Sequence, residues 1–324
     1  MNRVANSRRM LLAHALFALG SPTIKFLVER GSQFGLTHQS AISFCNVLFI
    51  GNLCAGILLF LRLGPRQIMK QGRSAKGDLP ALLFSIALAA LYPALLFTAL
   101  ESTTVTNLVL LSRSEAVLYA LSTSFFLGTR YTRREAAGYS MLALGIAFLA
   151  LLDSDFRVMK GDGLVLTAGI VFAIDVLVSK KLLQKIETGT FTFARTLGSA
   201  LVFAAIAVNL YGPDHFAEAF QGELWIAMLF YSGLIVVLAN LIYYRELPNS
   251  TPPYLAKLSL ASPAFSIVFA FVLLGEVPDA VQVAAGLIIL VGLAVATLGA
   301  RKTQKMREEV AGPGAPVRVL TWRQ

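Results

Sequence analysis

Charge is what this sequence has least of. Lys, Arg, Asp and Glu make up 14% of its 324 residues, against about 25% in a soluble domain. Beside a 56% hydrophobic content, that shortage excludes an ordinary water-soluble protein and points to the bilayer. Cysteine is scarce too. Cys45 and Cys54 are too far apart along one apolar run to bond to each other, so no disulfide framework is expected. The three histidines, His14, His38 and His215, are scattered and read as packing or surface residues. Nothing has the spacing of metal ligands, and no cofactor is expected. There is no glycine-rich phosphate loop ending in lysine, so ATP is not the expected energy source. No clustered acids and histidines, and no nucleophile with its base, suggest an enzyme.

The apolar runs fall near residues 10–28, 39–61, 80–100, 104–127, 135–152, 162–182, 191–210, 223–244, 252–274 and 280–299. Each is about long enough to cross a bilayer as a helix, and ten spans leave no room for a separate soluble domain. Turn signals separate several of them: Gly64-Pro65, Gly161-Asp162-Gly163, Gly212-Pro213 and Val277-Pro278-Asp279. Runs three and four are divided only by Glu101-Ser102-Thr103-Thr104. Arg8-Arg9 ahead of the first run resembles a signal peptide, but the run continues past Pro22 to Val28, which favours a retained first span.

With the N-terminus placed in the cytoplasm, most of the 28 basic residues fall in cytoplasmic segments, as the positive-inside rule requires. The acids show the opposite bias. The net charge of +10 is therefore a topology signal, and nucleic acid is excluded as its explanation. An even number of spans, both termini cytoplasmic, and a bacterial inner membrane are the expectation. Residues 1–9 form a cytoplasmic N-terminus. Residues 301–324 read as a basic, disordered cytoplasmic tail.

Compared at an offset of 147 residues, the halves align without gaps. Thr104 meets Thr251, Leu111-Ser112 meets Leu258-Ser259, Leu127-Gly128 meets Leu274-Gly275, and Gly145 meets Gly292. A duplicated five-span unit explains this, with copies at 10–152 and 153–300. Because five is odd, the copies enter the membrane from opposite sides. Such inverted repeats mark many secondary transporters. The expected fold is thus an all-α polytopic membrane protein of about ten helices in two inverted five-helix repeats.

Ser262-Pro263-Ala264-Phe265, then Leu274-Gly275-Glu276, then Gly286 and Gly292, resemble the second EamA repeat of the drug/metabolite transporter superfamily. The first half resembles a weakened copy, with Ala116 in place of the proline and Thr129 in place of the glutamate. The resemblance spans about residues 10–300. It implies a common frame for exporters of amino acids, nucleotide precursors, drugs and other metabolites, without naming the substrate. The motif residues read as structural: Gly128, Gly145, Gly275 and Gly292 for close helix approach, Pro263 for a local bend, and Glu276 as an interface residue.

Ionisable side chains within spans need a partner or a cavity. The candidates are Lys25, Arg113, Glu115, Asp175, Arg195 and Lys257. By helical rise, Glu115 and Asp175 fall near mid-membrane, whereas Lys25, Arg195 and Lys257 are close enough to an end to snorkel. Glu115 or Asp175 could couple protons, and Arg113 could anchor an anionic group. A buried ion pair is the competing reading for each. Arg113 and Glu115, two apart, point to different sides of their helix. In the repeat Lys257 and Arg113 share a face, so a cation stands near each mouth of a central path. Tyr243 and Tyr244 read as an interface belt, with the lining of an apolar cavity as the alternative. Asn46 and Asn240 could bond across helices or to substrate. The expectation is a secondary transporter exporting an amino acid or related anionic or zwitterionic metabolite. Efflux of drugs or toxic cations on the same fold, a passive channel, and a lipid-modifying membrane protein are the alternatives. Lipid and a small molecule are the expected partners; protons and a homodimer stay open.

Overall fold

The computed structural model describes residues 3–30, 44–74, 76–129, 131–152, 160–212, 222–250 and 261–311. Among them there is no strand, and the chain is an all-α polytopic membrane protein. Helices α1 (Arg3–Ala18) and α2 (Gly20–Arg30) form the first span. They are followed by α3 (Phe44–Leu63), the short α4 (Pro65–Ser74), α5 (Leu79–Leu100), α6 (Val105–Leu111), α7 (Ser114–Leu127) and α8 (Arg133–Leu152). The second half holds α9 (Lys160–Leu182), α10 (Thr188–Tyr211), α11 (Gly222–Tyr231), a π-helical turn at Ser232–Leu238, α12 (Ala239–Glu246), α13 (Ala261–Leu274) and α14 (Ala280–Ala311). Among the described residues, eight helical stretches are long and apolar enough to cross a membrane. The two runs that fall short, the fourth and the ninth, are equivalents in the two halves.

The repeat is visible in the element bounds. Ser114–Leu127 and Ala261–Leu274 lie 147 residues apart at both ends. Each ends on a glycine with left-handed backbone, Gly128 at φ 62° and Gly275 at φ 73°, the usual stop for a helix C-terminus. An added Cβ at Gly275 would meet nothing within 4 Å. At Gly275 the glycine therefore serves backbone conformation rather than close helix approach, and Gly128 shares its left-handed angle. Gly145 and Gly292 stand where two helices come close. A Cβ on Gly292 would lie 2.6 Å from the Leu142 backbone nitrogen, and one on Gly145 would lie 2.8 Å from the Ile289 side chain. They let α8 and α14 touch backbone to backbone, in the most extensive helix pairing of the molecule.

The other large pairings are α3 with α10 and α5 with α9. Smaller ones join α1 to α12, α6 to α13, and α1 and α2 to α13. In span numbers these are 2 with 7, 3 with 6, 1 with 8, 4 with 9 and 1 with 9; the leading pair is 5 with 10. Adding five to each member returns the same set, apart from 1 with 9, whose image is the packing of α7 on α9. Two similar halves facing each other across a two-fold axis pack in this reciprocal way.

α14 runs beyond the apolar stretch to Ala311; the remainder of the tail, 312–324, lies outside the described residues. Residues 301–311, RKTQKMREEVA, are mostly strong helix formers, which accounts for the continuation. Pro263 sits in the first turn of α13, where a missing N–H costs little.

Helix irregularities cluster at mid-bundle. Pro22 has no N–H to offer the Ala18 carbonyl, and the chain breaks at Leu19 between α1 and α2. The freed Ala18 oxygen accepts instead from Ser266 Oγ of α13 at 2.7 Å. Pro93 lies inside α5. Between α6 and α7 the backbone tightens, with Glu115 N–H bonded to Ser112 O and Ala116 N–H to Arg113 O. In the π turn region, Asn240 Nδ2 donates to Val236 O at 2.6 Å. In a bilayer such backbone survives only inside protein or beside a cavity.

Candidate functional site

All four irregularities line one central cavity of about 360 Å³, walled by α1, α2, α3, α5, α6, α7, α9, α10, the π turn, α12 and α13. Both halves contribute. Arg113, Glu115, Asp175, Arg195 and Tyr244 stand on its wall. Asn46 does not: it is fully buried beside Val47, which does line the space. Lys257 lies outside the described residues.

Arg195 and Asp175 form a buried ion pair between α10 and α9. Nη1 donates to Oδ1 at 2.6 Å and Nη2 to Oδ2 at 2.8 Å, the fork geometry of the strongest charge-assisted pairs. The guanidinium also donates to Ser179 Oγ at 2.9 Å and to Ser85 Oγ of α5. Its carbon lies 5.3 Å from the Phe191 ring centre and 5.4 Å from that of Tyr244, within cation–π range. Arg195 is 6% exposed and Asp175 9%. Of the two readings open for Arg195, snorkelling and a buried ion pair, the structure shows the pair: Asp175, twenty residues away in sequence and on the neighbouring helix, supplies the counter-charge.

A second polar locus centres on the α6–α7 break. Glu115 Oε1 accepts from Tyr92 OH at 2.7 Å. Val109 O, whose regular α-helical donor would be the Arg113 N–H, accepts from Ser112 Oγ at 2.9 Å and from Arg113 Nε at 3.3 Å. Arg113 Nη2 also donates to Ser112 Oγ at 3.1 Å. Glu115 thus binds across to α5 while Arg113 serves its own broken helix.

Tyr243 and Tyr244 are each 8% exposed and both line the cavity, not an interface belt. Tyr243 packs edge-on against Tyr244, His14 and Phe17, at 5.6, 6.1 and 5.8 Å between centres. Asn240 also faces the space.

Lys25 and Glu276 meet elsewhere, at 3.0 Å. Glu276 also accepts from the Val105 N–H at 3.0 Å, so its charge faces the N-terminus of α6, where a carboxylate is favoured. Lys25 reaches the Thr103 carbonyl as well. This knot ties α2 and the start of α6 to the end of α13. Gln282 Nε2 reinforces it by donating to Asn107 Oδ1 at 2.9 Å.

The sequence reading did not single out Ser85, Tyr92, Tyr119 or Ser179, and set His14 aside as a packing or surface residue. Hydroxyls within spans are common, so only partners brought from other helices distinguish these.

Comparison with known proteins adds to this geometry. A profile described as the EamA-like transporter family matches residues 10–151 and again 159–298. An uncharacterized transporter of Synechocystis sp. is 33% identical over 314 residues, covering 92% of this chain and 88% of its own. A probable amino-acid metabolite efflux pump of Salmonella typhimurium is 25% identical over 57% of this chain and 64% of its own. A probable terminal-alkyne amino-acid exporter of Streptantibioticus cattleyicolor is 26% identical over 61% and 65%. A solved crystal structure is similar in fold at TM-score 0.64, with 18% identity, covering 93% of this chain and all of that one.

Proposed function

The chain belongs to the EamA-like transporter family, and on that premise we propose that it exports an amino acid or closely related zwitterionic metabolite by alternating access. The observation that carries this reading is a cavity between the two halves that presents both signs of charge, Arg113 and Arg195 with Glu115 and Asp175. A zwitterion needs both, and its desolvation is offset only where each end meets an opposite charge. The names of the Salmonella and Streptantibioticus relatives support the same class. Units of five spans, at 10–152 and 153–300, face opposite ways across the membrane, and exchange of their conformations opens the cavity to each side in turn. The basic loops put both termini in the cytoplasm of a bacterial cell, with the protein in its inner membrane. Proton coupling through Glu115 fits its mid-bundle place.

The test is counterflow in proteoliposomes of the purified protein, loaded with one unlabelled amino acid at a time and given the labelled form outside. Saturable counterflow of at least one amino acid is expected. Its absence for all twenty would refute the reading. The ring-lined wall of Tyr243, Tyr244 and Phe17 supports a second reading, efflux of an organic cation. Counterflow of tetraphenylphosphonium, with none of amino acids, would favour it.

A further inference from the structure

The cavity wall holds two buried polar groups whose hydrogen bonds are unmade. The Tyr119 hydroxyl and His14 Nε2 have no partner among the described residues. Other buried hydroxyls share that state, Tyr139 and Thr190 for example, but they do not face the cavity. Of the unpartnered atoms, those of His14 and Tyr119 are the ones on the wall. Tyr119 is only 4% exposed, so bulk water does not serve it. A buried polar group left unsatisfied is costly, and each such group calls for an account.

Their placement is built, not incidental. His14 stands on α1 edge-on to Tyr243, with 6.1 Å between ring centres. Tyr119, from α7, packs in the same buried cluster as Tyr243 and Tyr244. Two serines of α13 fasten α1 beside them: Ser266 Oγ donates to Ala18 O at 2.7 Å, and Ser262 Oγ to His14 O at 3.4 Å. From this corner Tyr243 and then Tyr244 lead to the Arg195–Asp175 pair. A molecule lying along the two rings reaches the ion pair with one end and the unmade hydrogen bonds with the other.

We propose that His14 and Tyr119 form a hydrogen-bonding subsite for a hydroxyl or carboxamide at the side-chain end of the transported amino acid. The subsite rests on the amino-acid reading above and narrows it. A hydroxyl and a neutral imidazole can each donate or accept, so they fit groups that do both. The head group stays with the charged part of the wall. An apolar side chain of equal size leaves both groups unpaired, which is how a buried polar site rejects an isostere.

The experiment measures dissociation constants by thermal shift of the purified full-length protein with four pairs: the near-isosteric valine and threonine, leucine and asparagine, and methionine and glutamine, and phenylalanine with tyrosine, which adds one hydroxyl. In at least one pair the polar member is expected to bind about two- to tenfold more tightly, the worth of one neutral hydrogen bond. Tyr119→Phe keeps the ring and removes the hydroxyl; His14→Phe keeps the edge contact with Tyr243 and removes Nε2. Either substitution is expected to erase the preference while the apolar member binds as before. The inference is overturned if the unmodified protein shows no preference in any pair, with a water filling the corner instead. It is equally overturned if the preference survives both substitutions, or if both members weaken alike. If none of the eight stabilises the unmodified protein, the amino-acid reading itself fails and the subsite with it, an outcome distinct from the others.

Discussion

Replacing either member of the Arg195–Asp175 pair should destabilise the protein far more than replacing both. The contacts fix the size and the order. Asp175→Asn leaves the guanidinium with Ser85, Ser179 and two ring faces, so the loss sits at the low end of the range for a broken buried pair, about 3 kcal/mol. Arg195→Leu leaves the carboxylate with one hydroxyl, Ser179 at 3.3 Å, so the loss sits near the high end, about 5 kcal/mol. The double substitution Asp175→Leu with Arg195→Leu removes both charges and refills the volume. It should restore most of the loss, since apolar replacement of a buried pair is often neutral. The assay is heat survival of the detergent-solubilised protein, followed by size-exclusion chromatography for the parent, the two single variants and the double variant, with counterflow on those that survive. The stable double variant should not transport, because its cavity has lost one charge of each sign. Single variants as stable as the parent would refute the burial argument, and so would a double variant as unstable as the sum of the two.

Other outcomes follow from the same geometry. Gly292→Ala puts a Cβ 2.6 Å from the Leu142 nitrogen and should cost about 1–3 kcal/mol through overpacking, read as lost heat survival. Gly275→Ala meets no atom but forces alanine to φ 73°, at about 1–2 kcal/mol; Gly275→Asn, which tolerates that conformation better, should recover part of it. Glu276→Gln should cost about 1.5 kcal/mol, because the charge facing Lys25 is lost while an oxygen stays for the Val105 N–H; in Lys25→Met protein the same change should add little. Glu115→Gln keeps an acceptor for Tyr92 OH, and should preserve counterflow while abolishing accumulation driven by a pH gradient; accumulation that persists would remove Glu115 from coupling.

Much of the architecture was legible because bilayer physics writes it in composition. Runs of apolar residues, basic loops and one 147-residue offset led to ten spans, and α7 and α13 share bounds at that offset. What escaped was local. Gly128 and Gly275 resemble packing glycines in sequence, since a small residue beside an apolar run can serve either close approach or a left-handed stop. Only the backbone angle separates the two uses.

The site was legible by charge and opaque by partner. Arg113, Glu115, Asp175 and Arg195 stood out because ionisable groups within spans are expensive, and all four line one cavity. That Arg195 turns to Asp175 was hidden, because depth along a helix says nothing about which face meets which neighbour. The helix breaks supply the missing link between sequence and site. Pro22 frees the Ala18 carbonyl, which Ser266 takes; the tightening at Ser112 and Arg113 frees that of Val109, which their own side chains take. In a membrane the freed carbonyls need such donors, from side chains, water or a local change of helix pitch. Polar side chains therefore gather where the backbone is irregular, and irregular backbone lets side chains from facing helices enter a common space. The broken helices account for part of the cavity's polarity; the Arg195–Asp175 pair, on the unbroken α10 and α9, is carried by helix packing instead.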